Sequence, residues 1–370
     1  VAHGSRLVDL VQARIEEFLS ERTSILRSIG PDLDSLDEFS RRFLSGGKRF
    51  RARFCYWGWE AVGGRGFDPF ESEAGRDWFP VVSAASALEL FHAAALVHDD
   101  IIDNSDTRRG APAAHKLFEQ LHADSGWAGS PADFGRASAI LLGDLLLGWS
   151  DELLDEGLQA LPDRQDARAA RAEFMRMRTE VTAGQYLDIL EERAWVVQSD
   201  ADQRTRAERV IVYKAAKYSV ESPLVIGGAI AGASSAQVAA LRAFGLPLGI
   251  AFQLRDDLLG VYGDPEVTGK PSGDDLREGK RTLLVAIARE RLAAGPRRLL
   301  DELLGDADLD AEQVRMLQRT ISDCGAVDEI ERLIAEHVAR ATAVLADAPI
   351  SRDARAELGS LARAVSRRTS

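Results

Sequence analysis

Asp99, Asp100 and Asp103 close a long apolar run in "LVHDDIIDNSDTRRG", and Arg108 and Arg109 follow a few residues on. If the run is helical, Asp99 and Asp103 are one turn apart on one face, with Asp100 beside them. Like charges at that spacing repel and weaken a helix unless something relieves them. Two arrangements do so. One is a solvated helix end. The other is a site where Mg²⁺, a hard cation that prefers carboxylate, water and phosphate oxygens, bridges to a diphosphate. The chain holds 59 acidic residues, so chance alone supplies such patterns and this one does not choose between the two.

Two further segments narrow the choice. "FQLRDDLLGVYGDPEVTGKPSGDDLREGKRT" places Asp256 and Asp257 after another apolar run, then Asp264, Asp274, Asp275 and the cations Lys270, Lys280 and Arg281. "GGKRFRAR" offers two glycines, which let a backbone approach a ligand, and then Lys48, Arg49, Arg51 and Arg53. At a helix start, Lys48 and Arg51 point the same way, and the free N–H groups there favour anions. Taken singly, each segment reads as solvated surface charge. Taken together they fit a bivalent arrangement, in which metals on two carboxylate sets hold a diphosphate and the cations bind its free oxygens.

The elements that must position these residues are helices. "SRLVDLVQARIEEFLSERTSIL" puts Leu7, Leu10, Val11, Ile15, Phe18, Leu19, Ile25 and Leu26 on one stripe, and similar stripes run over 80–103, 133–160, 165–193, 203–232, 235–262, 282–304, 310–322 and 325–345. Strand signals are nearly absent. Gly63–Asp77, Ser125–Asp133 and Gly263–Lys280 read as loops, none resembling a flexible linker, so the chain is expected to be one all-α domain over 1–370. Its core motifs fall within 46–282, and helices over 283–366 complete the bundle. A formal charge of −13 argues against nucleic acid and anionic membrane as partners. Cys55 and Cys324 are too few for a disulfide framework, as expected in the cytoplasm. The apolar windows Val81–Ile102 and Pro223–Ala233 are interrupted by charge or too short to span a bilayer. No signal peptide is visible, and the chain opens on Val1, so the natural start is expected upstream or replaced.

In its motifs the chain resembles the trans-prenyl diphosphate synthases, or polyprenyl synthetases, most of all bacterial geranylgeranyl diphosphate synthases. The likeness runs in order through "GGKRFR", "HAAALVHDDIIDNSDTRRG", "GQYLDI", "YKAAKYSVESP", "FQLRDDLLG" and "GKPSGDDLREGKRT". It implies antiparallel helices around a deep cavity with the two Asp motifs facing each other across its mouth, a homodimer, and head-to-tail condensation of an allylic diphosphate with isopentenyl diphosphate. Ionising the allylic C–O bond leaves a carbocation and a diphosphate, so catalysis means stabilising the leaving group's charge. The resemblance implies three Mg²⁺ ions, two on Asp99, Asp100 and Asp103 and a third on Asp256, with Asp257 and Asp188 as ligands or close neighbours. It assigns Arg108, Lys214 and Lys270 to the allylic diphosphate, and Lys48, Arg51, His92 and Arg109 to isopentenyl diphosphate. Gln185, Gln253 and Lys280 line the same site. His98, Lys217 and Tyr218 are expected to pack or bond locally, and Asp106 to order the turn before the arginines. No side-chain base is evident, and the resemblance implies that the departing diphosphate takes the final proton.

Two positions depart from the family pattern. Gly260 stands where a third carboxylate of the second motif occurs, leaving open whether Asp264 substitutes, and Ala215 replaces a hydroxyl residue after Lys214. For product length, Ala95, Ala94 and Phe91 stand four, five and eight residues before Asp99, toward the helix start. A floor at Phe91 rather than Ala94 deepens a cavity by about 4–5 Å, and the resemblance, in which bulky side chains four or five residues upstream give short products, then implies geranylgeranyl diphosphate or a somewhat longer product. The alternatives are a longer-chain polyprenyl diphosphate synthase, a class I terpene cyclase and a noncatalytic synthase subunit. "FQLRDD" and "GGKRFR" speak against the cyclase, and the intact Asp99, Asp100 and Asp103 against the subunit.

Overall fold

Apolar stripes at helical spacing become helices throughout the computed structural model, which describes residues 2–63, 78–108, 110–264 and 272–367. In chain order these are α1 (Ala2–Ile29), α2 (Asp34–Leu44), α3 (Phe50–Val62), α4 (Phe79–Ile102), α5 (Ala114–Asp124), α6 (Pro131–Gln159), α7 (Arg164–Ala194), α8 (Gln203–Val210), a π-helix (Ile211–Glu221), α9 (Ser222–Ile230) and α10 (Ser235–Tyr262). They are followed by α11 (Asp274–Glu278), α12 (Leu283–Arg291), α13 (Ala294–Leu303), α14 (Ala311–Asp323), α15 (Ala326–Asp347) and α16 (Arg352–Arg367). Among the described residues the strands are β1 (Thr107–Arg108) and β2 (Ala111–Pro112), an antiparallel ribbon pairing Thr107 with Pro112. The chain is therefore all-α, as its periodicity predicts.

The described chain divides into two compact units: Val1–Ala172 with Pro223–Ala233, and Glu173–Ser222 with Ser234–Ser370. In the first, α4 is the core helix, buried nearly all round from Pro80 to Ala94. Burying each of its large side chains contributes about 1.5–3 kcal/mol, which explains how the helix carries charge at its end and still holds its place. Arg14 on α1 donates to Ser83 at 3.3 Å, and α6 lies close enough that a Cβ on Gly143 would stand 2.2 Å from His98 Nε2. By length and composition α4 could span a bilayer, contrary to the sequence reading of its window, but 83% of its most apolar window is buried within the protein. The same test is met by α10, with 33% of its window buried.

The second unit is built around α10, which packs on the π-helix and on α15. Arg255 on α10 makes a bidentate pair with Glu331 at 2.6 and 2.7 Å. The sequence stripe over 203–232 is one continuous helical run, but its middle winds as a π-helix, which periodicity did not predict. Two close approaches flank it. A Cβ on Gly184 of α7 would lie 2.4 Å from Lys214 N, and one on Gly249 of α10 would lie 2.4 Å from the Ala216 carbonyl oxygen. Only glycine lets α7 and α10 come this near to the wider helix.

Candidate active site

Asp99 and Asp100 occupy the last turn of α4, and Asp103 is its C-cap. Asn104 then takes a left-handed conformation (φ 53°), and Ser105 N–H donates to the Asp100 carbonyl at 2.9 Å, turning the chain into the β1–β2 ribbon. The ribbon brings Arg108 back over the carboxylates. Its Nε donates to Asp100 Oδ1 at 2.8 Å, and its Nη2 reaches Asp99 Oδ2 at 3.3 Å as well as Asp100. Asp100 is fully buried and Asp99 partly so, and the guanidinium offsets the charge of these two neighbouring carboxylates. Asp106 orders the turn as expected. Its carboxylate lies 3.6 Å from His115 Nε2 and 3.9 Å from Lys116 Nζ, and its carbonyl accepts from Ala113 N–H at 2.9 Å. His98 turns away to the Ile140 carbonyl at 3.2 Å, tying α4 to α6. Arg109 lies outside the described residues.

In the same unit, Lys48 is exposed on the loop before α3, Arg51 is half-buried in the first turn of that helix, and His92 is half-buried on α4. Phe91 and Ala94 are buried and Ala95 half-buried. Phe91 and Ala95, one turn apart, share a face of α4, which is the order a graded floor requires.

The second unit gathers a different set. Lys214 on the π-helix pairs with Asp188 on α7, the contact that Gly184 makes room for. Lys280 lies 3.6 Å from Asp188 Oδ2 and 3.0 Å from Glu192 Oε1. Gln185 is half-buried one turn before Asp188. On α10, Gln253 Nε2 donates to Asp257 Oδ1 at 2.8 Å, and Asp256 is the adjacent residue. Burial, then the charges of Asp275, Asp256 and Asp188, push the Asp257 carboxyl up to about 8, against the opposing hydrogen bond from Gln253. Lys217 bonds Glu180 at 2.9 Å and Tyr218 is buried, so both are structural here. Lys270 lies outside the described residues.

Sequence reasoning passed over Glu192 in this unit, and it named Asp275 and Arg281 without their contacts. Glu192, four residues beyond Asp188 in "DILEE", shares its helix face and holds Lys280; that spacing was the available signal. Asp275 fills the space beside Gly260, where an added Cβ would lie 2.0 Å from its Oδ2. Any side chain at 260 would displace that carboxylate. Finally, Arg281 stacks on Trp195 with its guanidinium carbon 3.7 Å from the ring centroid and pairs with Asp301 at 3.2 Å, anchoring the residue next to Lys280.

The donor chemistry suits Mg²⁺. Among the described residues no three Asp, Glu, His or Cys side chains are gathered into a ready cage. Mg²⁺ does not ask for one, since it is held by one or two carboxylates with water and phosphate oxygens. Arg108 on Asp99 and Asp100, and Lys214 and Lys280 on Asp188, show cations already held at carboxylates of both sets.

Comparison with known proteins adds four findings. The family model described as polyprenyl synthetase matches residues 34–321. A short chain isoprenyl diphosphate synthase of Methanothermobacter thermautotrophicus is 32% identical over 334 residues, covering 89% of this chain and 87% of the relative. A geranylgeranyl diphosphate synthase of Mycobacterium tuberculosis is 32% identical over 309 residues, covering 84% and 77%. Among solved structures, a geranylgeranyl pyrophosphate synthase of Corynebacterium glutamicum, complexed with isoprenyl diphosphate and magnesium, is 36% identical with a TM-score of 0.89, covering 98% of this chain and 99% of that one.

Proposed function

We propose, since the chain belongs to the polyprenyl synthetase family, that it extends allylic diphosphates with isopentenyl diphosphate and releases chiefly geranylgeranyl diphosphate. The observation that carries this reading is the end of α4, where a buried apolar helix meets Asp99 and Asp100 under the guanidinium of Arg108. A substrate with a hydrocarbon tail and a diphosphate head needs that junction. The relatives named geranylgeranyl diphosphate synthase support the product. The family match over 34–321 supports reading residues 1–370 as one domain.

In each turnover the allylic C–O bond breaks, the terminal carbon of isopentenyl diphosphate forms the new C–C bond, and a proton leaves to the departing diphosphate. Asp99, Asp100 and Asp103 in the first unit, and Asp188, Asp256 and Asp257 in the second, are the residues that would hold Mg²⁺, three ions in our reading. Bound Mg²⁺ supplies charge stabilisation for the diphosphate leaving group. Arg108, Lys214 and Lys270 bind the allylic diphosphate; Lys48, Arg51, His92 and Arg109 bind isopentenyl diphosphate; Gln185, Gln253 and Lys280 orient them. Arg108, Lys214 and Lys280 are held by carboxylates in this structure, so gripping a diphosphate means exchanging one anion for another. The protein works as a cytoplasmic homodimer in this reading.

The test is incubation of the purified protein with labelled isopentenyl diphosphate, each allylic primer in turn, and Mg²⁺ with or without EDTA. Chain elongation that EDTA abolishes is the expected result, and no elongation from any primer overturns the reading. Product length has its own test. Phe91→Ala removes the first large side chain along α4 and is expected to lengthen the main product by at least one isoprene unit. An unchanged product distribution on chromatography would place the floor elsewhere.

A further inference from the structure

We infer that Arg49 and Glu89 form a buried positioning pair that pre-sets the residues binding isopentenyl diphosphate; the inference rests on the prenyltransferase reading of Lys48, Arg51 and His92. The sequence presents Lys48, Arg49, Arg51 and Arg53 as one run of cations. The structure divides them. Lys48 is exposed, while Arg49 is only 6% exposed and faces inward. Its Nη1 donates to Glu89 Oε2 at 3.2 Å, and its Nη2 donates to Gln12 Oε1 at 2.7 Å and to the Leu44 carbonyl. The other oxygen of Glu89 accepts the Ala52 N–H at 3.3 Å, satisfying a free donor in the first turn of α3. One buried carboxylate therefore holds both the loop and the helix start that follows it.

The backbone shows what this grip accomplishes. Gly46, Gly47 and Arg49 all have positive φ, and Arg49 at φ 49°, ψ 45° is one of two non-glycine residues with positive φ among those described. A left-handed arginine is disfavoured and persists where its surroundings over-determine it. Here the guanidinium partners do so, and turning Arg49 inward leaves Lys48 outward. On α4, Glu89 precedes His92 by three residues and so lies near the same face. Hence the pair fixes the Lys48 and Arg51 backbone relative to the helix that carries His92. Stability alone gives the pair no rationale, because well-packed apolar residues commonly replace a buried ion pair without loss.

The experiment compares wild type with Glu89→Gln, Arg49→Met and the double variant Arg49→Met/Glu89→Gln, which buries no unpaired charge if either single variant fails to fold. Steady-state assays should show the KM for isopentenyl diphosphate raised at least tenfold in each folded variant, with the KM for the allylic primer within twofold of wild type. Calorimetric titration with isopentenyl diphosphate in the absence of primer should show the same loss without relying on turnover. Both KM values rising together, or a folded double variant that binds isopentenyl diphosphate like wild type, would overturn the inference. Failure of wild type to elongate any primer would instead defeat the prenyltransferase reading, and the titration would still report on the pair.

Discussion

Asp100→Asn should cut elongation about a thousandfold at saturating Mg²⁺, equivalent to about 4 kcal/mol of transition-state stabilisation, while leaving the protein folded. The substitution keeps the size of the side chain and one oxygen able to accept from Arg108 Nε, now 2.8 Å away. What it removes is the charge. In the metal-free protein that charge is shared with the guanidinium, which also reaches Asp99 Oδ2 at 3.3 Å. In the working enzyme it belongs to the set proposed to hold the cation opposite the leaving group. Exchanging the carboxylate acceptor for an amide one, while the charged guanidinium keeps its contact with Asp99, costs about 1–2 kcal/mol, so the melting temperature should fall by only a few degrees. Incorporation of labelled isopentenyl diphosphate, measured across a Mg²⁺ titration, is the readout. A variant within tenfold of wild type at high Mg²⁺ would remove Asp100 from the catalytic set.

This expectation could be framed from the sequence, because the end of α4 is legible there. A long apolar run at helical spacing fixes the element, and the carboxylates at its close share a face by geometry alone. The stripe over 235–262 matches α10 for the same reason. The window over 282–304 divides into α12 and α13, because Leu292 and Ala293 leave the helical conformation between them. The 11-residue helices α2 and α5 carry fewer repeats of the period and stood out less.

The partners of the site residues were less legible, because they depend on backbone detail that periodicity does not carry. Lys214 meets Asp188 through a π-helix and a glycine contact, and neither leaves a periodic signature. Arg49 looks like its cationic neighbours until its left-handed φ turns it inward. Asp275 was visible only as one of a loop pair, although the Gly260 that makes room for it was already marked as a departure. Motif reading therefore located the residues, and close approaches of backbone decided which of them meet.

Asp257 offers the second large effect, and its sign follows from its surroundings. Burial and the nearby Asp275, Asp256 and Asp188 raise its folded value from 3.8 to about 8, so between those limits the metal-free folded protein holds a proton that the unfolded chain has released. Stability from this group is then fully present below pH 4 and is lost as pH rises toward 8, by up to about 1.4 kcal/mol for each pH unit. His337 works in the opposite direction over part of that range. Burial lowers it from 6.5 to about 4, so its contribution grows as pH rises through that interval and is constant above it. Between about pH 6.5 and 8 the Asp257 effect therefore runs without that opposition. Asp257→Asn leaves a neutral side chain that has no proton to lose. Metal-stripped wild type should melt at progressively lower temperature from pH 6.5 to 8, and the variant should show a clearly shallower decline, becoming the more stable protein at the upper end. Parallel melting curves across that range would mean that Asp257 is already ionised in the folded state. The same argument ties the carboxylate to its proposed ligand. A group that retains a proton at neutral pH because it is buried, and beside other anions, gives that proton up when a divalent cation arrives, so Mg²⁺ should lessen the wild-type decline more than that of the variant.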